Sequence, residues 1–251
     1  MGFNLKDKKV FISGSSRGIG LSIAKRFLEE GAKVVINSRN ADELKDVSSS
    51  LNNCFAVAGD LTETKEAKTV ISKSVEILGG LDILICNVGS GSSVPPGEET
   101  YEEWLRIFDI NFFSATNIIE ASKKFLADSQ GSIVCISSIC GNETIPGAPI
   151  TYSVAKSALN AYVKSISLPL AKDKIRINSV SPGNIYFEDS VWSKKMEKSP
   201  DSVKSMLKQN VPLEKFGTPE DVANLVVWLS SDLSNFVTGS VMTTDGGQTR
   251  S

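Results

Sequence analysis

Six short apolar runs rich in β-branched residues alternate with longer amphipathic stretches, and this alternation constrains the fold more than any other feature of the chain. The runs lie at residues 10–12, 34–36, 55–57, 83–85, 133–136 and 175–180. Their near-continuous apolarity predicts strands covered on both faces, hence a parallel sheet between two layers of helix. Helical patterns are expected over 19–30, 41–51, 63–78, 100–127, 151–170 and 219–230. In the first, Ile19, Ile23, Ala24, Phe27 and Leu28 recur at helical spacing, and Gly31 stands just past its end. The last opens on Thr218 as N-cap, Pro219 at its first position, and Glu220 and Asp221 in its first turn. Repeated strand–helix alternation predicts a doubly wound α/β sheet.

At 251 residues the chain is near the upper limit for one hydrophobic core, and no repeat or linker divides it, so a single domain is expected over 1–251. One stretch, 183–212, is polar and Lys-rich with Trp192 and Met196 interleaved; it reads as a substrate lid or as a solvated insertion. The net charge of −2 gives no global basic footprint for nucleic acid. The absence of histidine removes Ser-His-Asp and Cys-His machinery and His-ligated zinc, leaving Tyr, Lys, Cys, Asp and Glu as acid–base candidates. Cys54, Cys86, Cys135 and Cys140 form no CxxC pair, which fits a reducing cytoplasm and gives no metal motif. The segment MGFNLKDKKV has no apolar signal core, and no apolar run reaches the ~20 residues of a membrane span. A cytoplasmic protein, without nucleic acid or membrane as partner, is expected.

After the first strand comes Ser13-Gly14-Ser15-Ser16-Arg17-Gly18-Ile19-Gly20, opening the first helix. Glycines at 14, 18 and 20 permit a tight turn and close approach of a pyrophosphate, which the helix N-terminus then meets with free N–H groups. The GxxxGxG spacing resembles the short-chain dehydrogenase/reductase family, and the resemblance runs from Lys8 to Gly247. Further matches follow in order: Asp60-Leu61, Asn87 with Gly89, Asn111, Ser138 before Tyr152-x-x-x-Lys156, Pro182-Gly183, Thr238-Gly239 and Asp245-Gly246-Gly247. The resemblance implies a Rossmann fold of about seven parallel strands and an oxidoreductase that moves a hydride between a nicotinamide cofactor and a carbonyl or secondary alcohol. It also implies a homotetramer or homodimer. The look is closest to 3-oxoacyl-(acyl carrier protein) reductases and sugar or polyol dehydrogenases.

The second strand ends Ile36-Asn37-Ser38-Arg39, without the carboxylate that would hold the ribose hydroxyls of NAD. Ser38 is small and neutral, and Arg39 and Arg17 offer cations to a 2′-phosphate, so NADP(H) is expected over NAD(H), which remains possible. Family position assigns Asp60, with Leu61, to the adenine, and gives Ser16, Asn87, Gly89, Pro182, Gly183 and Ile185 to the cofactor. Cys86 and Val88 depart from the family's Asn-Asn-Ala-Gly segment.

Tyr152 and Lys156, four apart in a helical segment, share one face. A free phenol has a pKa of about 10, and the neighbouring ammonium is expected to favour phenolate, so that Tyr152 serves as general acid or base. By resemblance, Ser138 orients the substrate oxygen, Lys156 holds ribose hydroxyls, and Asn111 positions a water that leads to the lysine. Ser137 reads as a strand residue. The interval from Ser138 to Tyr152 is one residue longer than in many relatives, which places an insertion in 142–151. Phe187 stands where the family usually has a Thr; with Tyr186 and Trp192 it forms either an aromatic wall for substrate or lid packing. Lys123 and Lys124 fit an acidic carrier protein, but Gln130 and the short connection 171–174 count against one, and a sugar-like polar ketone is the other substrate reading. The non-enzyme alternative is a cofactor-sensing regulator, whose relatives commonly lose the Tyr or Lys that this chain keeps.

Overall fold

The structure is a computed structural model that describes residues 2–250. Seven strands form one parallel sheet: β1 (Lys9–Ile12), β2 (Lys33–Ile36), β3 (Cys54–Ala56), β4 (Ile83–Cys86), β5 (Ser132–Ile136), β6 (Arg176–Pro182) and β7 (Val241–Thr244). Their order across the sheet is β3-β2-β1-β4-β5-β6-β7, so the strand order reverses between β1 and β4. Ligands of open α/β sheets bind beyond the carboxyl ends of the strands at such a point. The β4 and β5 strands are buried along their whole length, as continuous apolar runs require.

The helices are α1 (Gly18–Glu29), α2 (Ala41–Ser49), α3 (Thr64–Leu78), α4 (Tyr101–Phe108), α5 (Ser114–Ser129), α6 (Ile150–Lys172), α7 (Val191–Lys198), α8 (Pro200–Asn210) and α9 (Pro219–Ser230). Two apolar cores result. One joins α1 and α9 to the sheet through Ile23, Phe27, Val222 and Val226; the other joins α3, α5 and α6 through Ile71, Ile118, Ile119, Leu159 and Val163. The capping box at Thr218 and Asp221 starts α9 as its sequence signature predicts.

Three differences from the sequence reading stand out. The helix expected over 100–127 is two helices joined by a π-helical turn, Asp109–Phe113. The polar stretch 183–212 carries α7 and α8, capped by Ser190 and started at Pro200, and is not a featureless insertion. The β7 strand, half-buried along its length, adds an edge that the apolar runs did not mark. Among the described residues, no helix is long and apolar enough to cross a membrane, and no group of His, Cys, Asp and Glu could hold a metal ion.

Candidate active site

The glycine turn is anchored from two sides. Ser15 Oγ donates to the Ile12 carbonyl (2.6 Å) and accepts the Asn37 N–H (3.0 Å), while Asn37 Nδ2 donates to the Val57 carbonyl (3.0 Å). From the other side, Asn87 Nδ2 donates to the carbonyls of Ser13 (3.1 Å) and Gly14 (2.7 Å). A Cβ on Gly20 would lie 2.4 Å from the Gly14 oxygen and 2.6 Å from Asn87 Nδ2, so only glycine lets α1 start this close to the turn. Arg17 is the exposed N-cap of α1 and makes no side-chain cap bond, and no acidic residue lies in the first turn. The N–H groups of that turn and the positive end of the helix dipole are therefore left for an anion, which is the cradle a cofactor pyrophosphate needs.

At the end of β2, Ser38 Oγ bonds the backbone of Asn40, and Arg39 projects with its side chain 78% exposed. Its Nη1 lies 3.7 Å from Asp60 Oδ2, and Asp60 Oδ1 accepts from the N–H (2.9 Å) and hydroxyl (2.8 Å) of Thr62. Burial pushes the Asp60 carboxyl up, but the Thr62 hydrogen bonds and the Arg39 guanidinium outweigh it and hold the group below its usual value. Leu61 and Ile185, expected at the cofactor, are buried at 3% and 6% exposure, and the Leu61 carbonyl accepts from Asn117 Nδ2 (3.0 Å). Gly183 packs against Asp245, with its N–H on the Thr244 carbonyl (3.0 Å), which joins the end of β6 to the end of β7.

The three expected reacting groups do converge. Ser138 follows β5 and caps a 3-10 turn, Ile139–Gly141. Its hydroxyl accepts the Cys140 N–H (3.2 Å), and its side chain is close enough to the Tyr152 phenol to hold that group's pKa down. Lys156, 3% exposed, sits one turn after Tyr152, with Nζ 5.8 Å from the phenol ring centroid and donating to the Ile136 carbonyl (2.9 Å). Ser137, read as a strand residue, also donates to the Lys156 carbonyl (3.3 Å) and so ties α6 to the end of β5. Gly89 passes between Lys156 Nζ and Asn111 Oδ1, where a Cβ would come within 3.0 Å of both.

The electrostatics differ from the sequence expectation. Burial pushes the Tyr152 phenol up to about 12, against the opposing effect of the Ser138 side chain. Burial pulls Lys156 down to about 8. Desolvation, which residue spacing does not reveal, is the largest cause of both shifts. Near neutral pH Tyr152 is therefore a phenol with a proton to give.

Asn111 lies within the π-helical turn at 1% exposure. Its side chain clamps Ser90, accepting the Ser90 N–H (3.0 Å) and donating to the Ser90 carbonyl (3.1 Å). Of the backbone and side chain expected to position a water, the side chain is thus occupied by protein partners. The aromatic trio divides: Tyr186 and Trp192 flank Phe216 at 5.4 and 5.5 Å between ring centroids, while the Phe187 ring covers Gly18, 2.6 Å from where a Cβ would be. Phe216 and Asn142 were missed by the sequence reading. Asn142 Oδ1 accepts from Asn160 (2.8 Å) and Ser181 (3.1 Å), and its Nδ2 donates to Thr243 (3.1 Å), so the loop after Ser138 is fixed to α6, β6 and β7. Its only sequence signal was a small amide directly after the Ser-x-x-Gly segment.

Comparison with known proteins agrees with this architecture. The family model described as enoyl-(acyl carrier protein) reductase matches residues 14–249. Glucose 1-dehydrogenase 2 of Bacillus subtilis (strain 168) is 31% identical over 98% of this chain and 96% of its own. The 3-oxoacyl-[acyl-carrier-protein] reductase FabG of Rickettsia felis is 33% identical over 97% of this chain and 98% of its own. The crystal structure of L-sorbose reductase from Gluconobacter frateurii, complexed with NADPH and L-sorbose, superposes over the whole of both chains with a TM-score of 0.93 at 29% identity. Matched over nearly its full length by this family model and by these relatives, the chain belongs to the short-chain dehydrogenase/reductase family of oxidoreductases.

Proposed function

We propose that the protein is an NADP(H)-dependent reductase that converts a small polar ketone to a secondary alcohol. The observation that carries this reading is Lys156 Nζ 5.8 Å from the Tyr152 ring centroid, with the Ser138 side chain acting on the same phenol. When bound, the nicotinamide cofactor supplies the hydride. The first turn of α1 and the glycine loop hold its pyrophosphate, Arg39 and Arg17 its 2′-phosphate, and Lys156 its ribose hydroxyls. Ser138 orients the substrate carbonyl, and Tyr152 gives its proton to the developing alkoxide. Asn111 fixes the Ser90 backbone beside Lys156. With Ser138, Tyr152 and Lys156 all in place, the regulator reading has no feature to support it.

A hydroxylated, sugar-like ketone is favoured over a carrier-bound acyl chain. The loop beside Tyr152 is Ser90-Gly91-Ser92-Ser93, rich in hydroxyls. Gln130, Ala171 and Lys174 lie around a cavity at the amino ends of β4 to β6, across the sheet from Ser138, and Lys123 is paired with Glu120. Two sugar-acting proteins among the similar ones agree with this choice. The segment 183–212 is the substrate lid in this reading. Exposed Tyr101, Leu105, Phe113 and Leu168 on the outer helices support self-association as a homotetramer or homodimer, and the free thiols support a cytoplasmic location. A panel of sugars, cyclic ketones and acyl thioesters, followed by NADPH absorbance, tests the substrate class; turnover confined to the thioesters overturns it.

Cofactor choice rests on Arg39. Replacing it by Ala should raise the KM for NADPH roughly tenfold, the loss of one charged hydrogen bond. The KM for NADH should stay nearly level, and equal effects on both cofactors would refute the phosphate contact.

The pH profile follows from the two shifted groups. Tyr152 keeps its proton up to about 12, so the phenol does not limit reduction at ordinary pH. Lys156 is charged below about 8 and neutral above it, so kcat/KM for reduction should be level in acid and fall as pH rises through about 8. A profile level to pH ~10 would remove Lys156 from the reaction.

A further inference from the structure

The loop after β4 is held by a chain of side chains that runs through Ser93 to Glu103, Arg106 and Thr151. Arg106 binds Glu103 through two hydrogen bonds of 2.7 Å, Nε to Oε2 and Nη2 to Oε1, and its Nη2 also donates to the Ser92 carbonyl at 3.0 Å. The Ser93 hydroxyl donates to Glu103 Oε1 (2.6 Å), and Ser93 Oγ lies 2.6 Å from Thr151 Oγ1. Thr151 is fully buried and immediately precedes Tyr152. A Cβ on Gly91, in the same loop, would lie 3.9 Å from the Tyr152 ring.

The direction of this chain follows from its chemistry. Hydrogen bonds from Arg106 and then Ser93 pull the Glu103 carboxyl down to about 2, so it is ionised and can only accept. Ser93 has a single proton, which goes to that carboxylate. Thr151 must therefore be the donor to Ser93, and the chain runs one way, from Thr151 through Ser93 to Glu103. The need for it is visible at the start of α6, where the N-cap is Pro149, no side chain caps the helix and no acid lies in the first turn. A helix end without these anchors frays unless something beside it holds it.

We infer that Glu103 is a positioning residue for Tyr152, holding the first turn of α6 through Ser93 and Thr151 while Arg106 keeps the carboxylate in place. It touches neither substrate nor cofactor. The inference rests on the proposed role of Tyr152 as proton donor.

The test compares Glu103→Ala, Ser93→Ala and the double variant in NADPH-dependent ketone reduction, with NADPH affinity read by fluorescence titration and folding by Tm. Misplacement of a reacting group by about 1 Å costs on the order of 100-fold. Glu103→Ala should therefore lower kcat roughly 10- to 100-fold while the Kd for NADPH stays within about twofold. The double variant should be no slower than Glu103→Ala, since both changes cut one chain. Glu103→Gln, which keeps an acceptor for Ser93, should recover part of the loss. Unchanged kcat in Glu103→Ala overturns the inference, as does a parallel fall of kcat, NADPH affinity and Tm. If Glu103→Ala does not fold, Ser93→Ala decides: a several-fold lower kcat at unchanged Kd supports the chain, and wild-type kcat sinks it. Full turnover by Tyr152→Phe sinks the underlying reading, and the inference with it.

Discussion

Tyr152→Phe should lower ketone reduction by roughly 10³-fold, within the range that a positioned proton donor contributes. The ring stays, so the packing around Lys156 and the approach of Gly91 are preserved, and only the hydroxyl is lost. NADPH affinity should change little, because Lys156 remains at the Ile136 carbonyl and the start of α1 is untouched. Single-turnover absorbance with saturating NADPH and fluorescence titration of the same sample separate the two quantities. Turnover within about threefold of wild type would show that the proton comes from elsewhere, and no histidine is present to provide it.

Gly20→Ala should abolish useful NADPH binding while leaving most of the fold. The added methyl group would come 2.4 Å from the Gly14 oxygen and 2.8 Å from Ser15 Cα, both backbone atoms that cannot rotate aside. Relief requires the turn to move away from α1, which separates the donors of the anion site from one another. Overpacking of this kind costs about 1–3 kcal/mol. In a chain of this size, that corresponds to a Tm lower by roughly 2–12 °C. Fluorescence titration should show NADPH affinity reduced about 100-fold or more, since the loop both moves and loses shape. A variant that binds NADPH normally would mean that the turn is not the pyrophosphate cradle.

Most of the sheet was legible because its central strands are buried on both faces, and such strands announce themselves as apolar runs. The β7 strand, Val-Met-Thr-Thr at an edge, buries too little to leave that mark. Helices α7 and α8 escaped for the same reason: among Lys and Ser residues, Val203 and Leu207 are the only apolar side chains they bury. The site was legible as spacing, since Tyr152 and Lys156 lie one helical turn apart and Ser138 sits at a strand end. Its electrostatics were not. Burial is a property of the assembled core, so the sign of the Tyr152 shift could not be read from two residue types four apart. Likewise, Phe187 was recognisable as a departure, but its contact with Gly18 joins residues 169 positions apart and has no local signature.

The π-helical turn at Asp109–Phe113 inserts one residue into what would otherwise be a continuous α-helix. Each added residue rotates the following helix by about 100°, so the turn works as a phase shifter. Upstream of it, Ile107 faces the interior alone; downstream, Ile118, Ile119 and Leu126 form a full apolar stripe against the sheet. Asn111 stands at the discontinuity, its Nδ2 donating to the Ile107 carbonyl of α4 (3.1 Å). The buried faces of α4 and α5 are thereby set at different angles about the axis, while Phe108 of α4 still meets Phe112 and Phe113 of the turn at 6.0 and 6.4 Å between ring centroids.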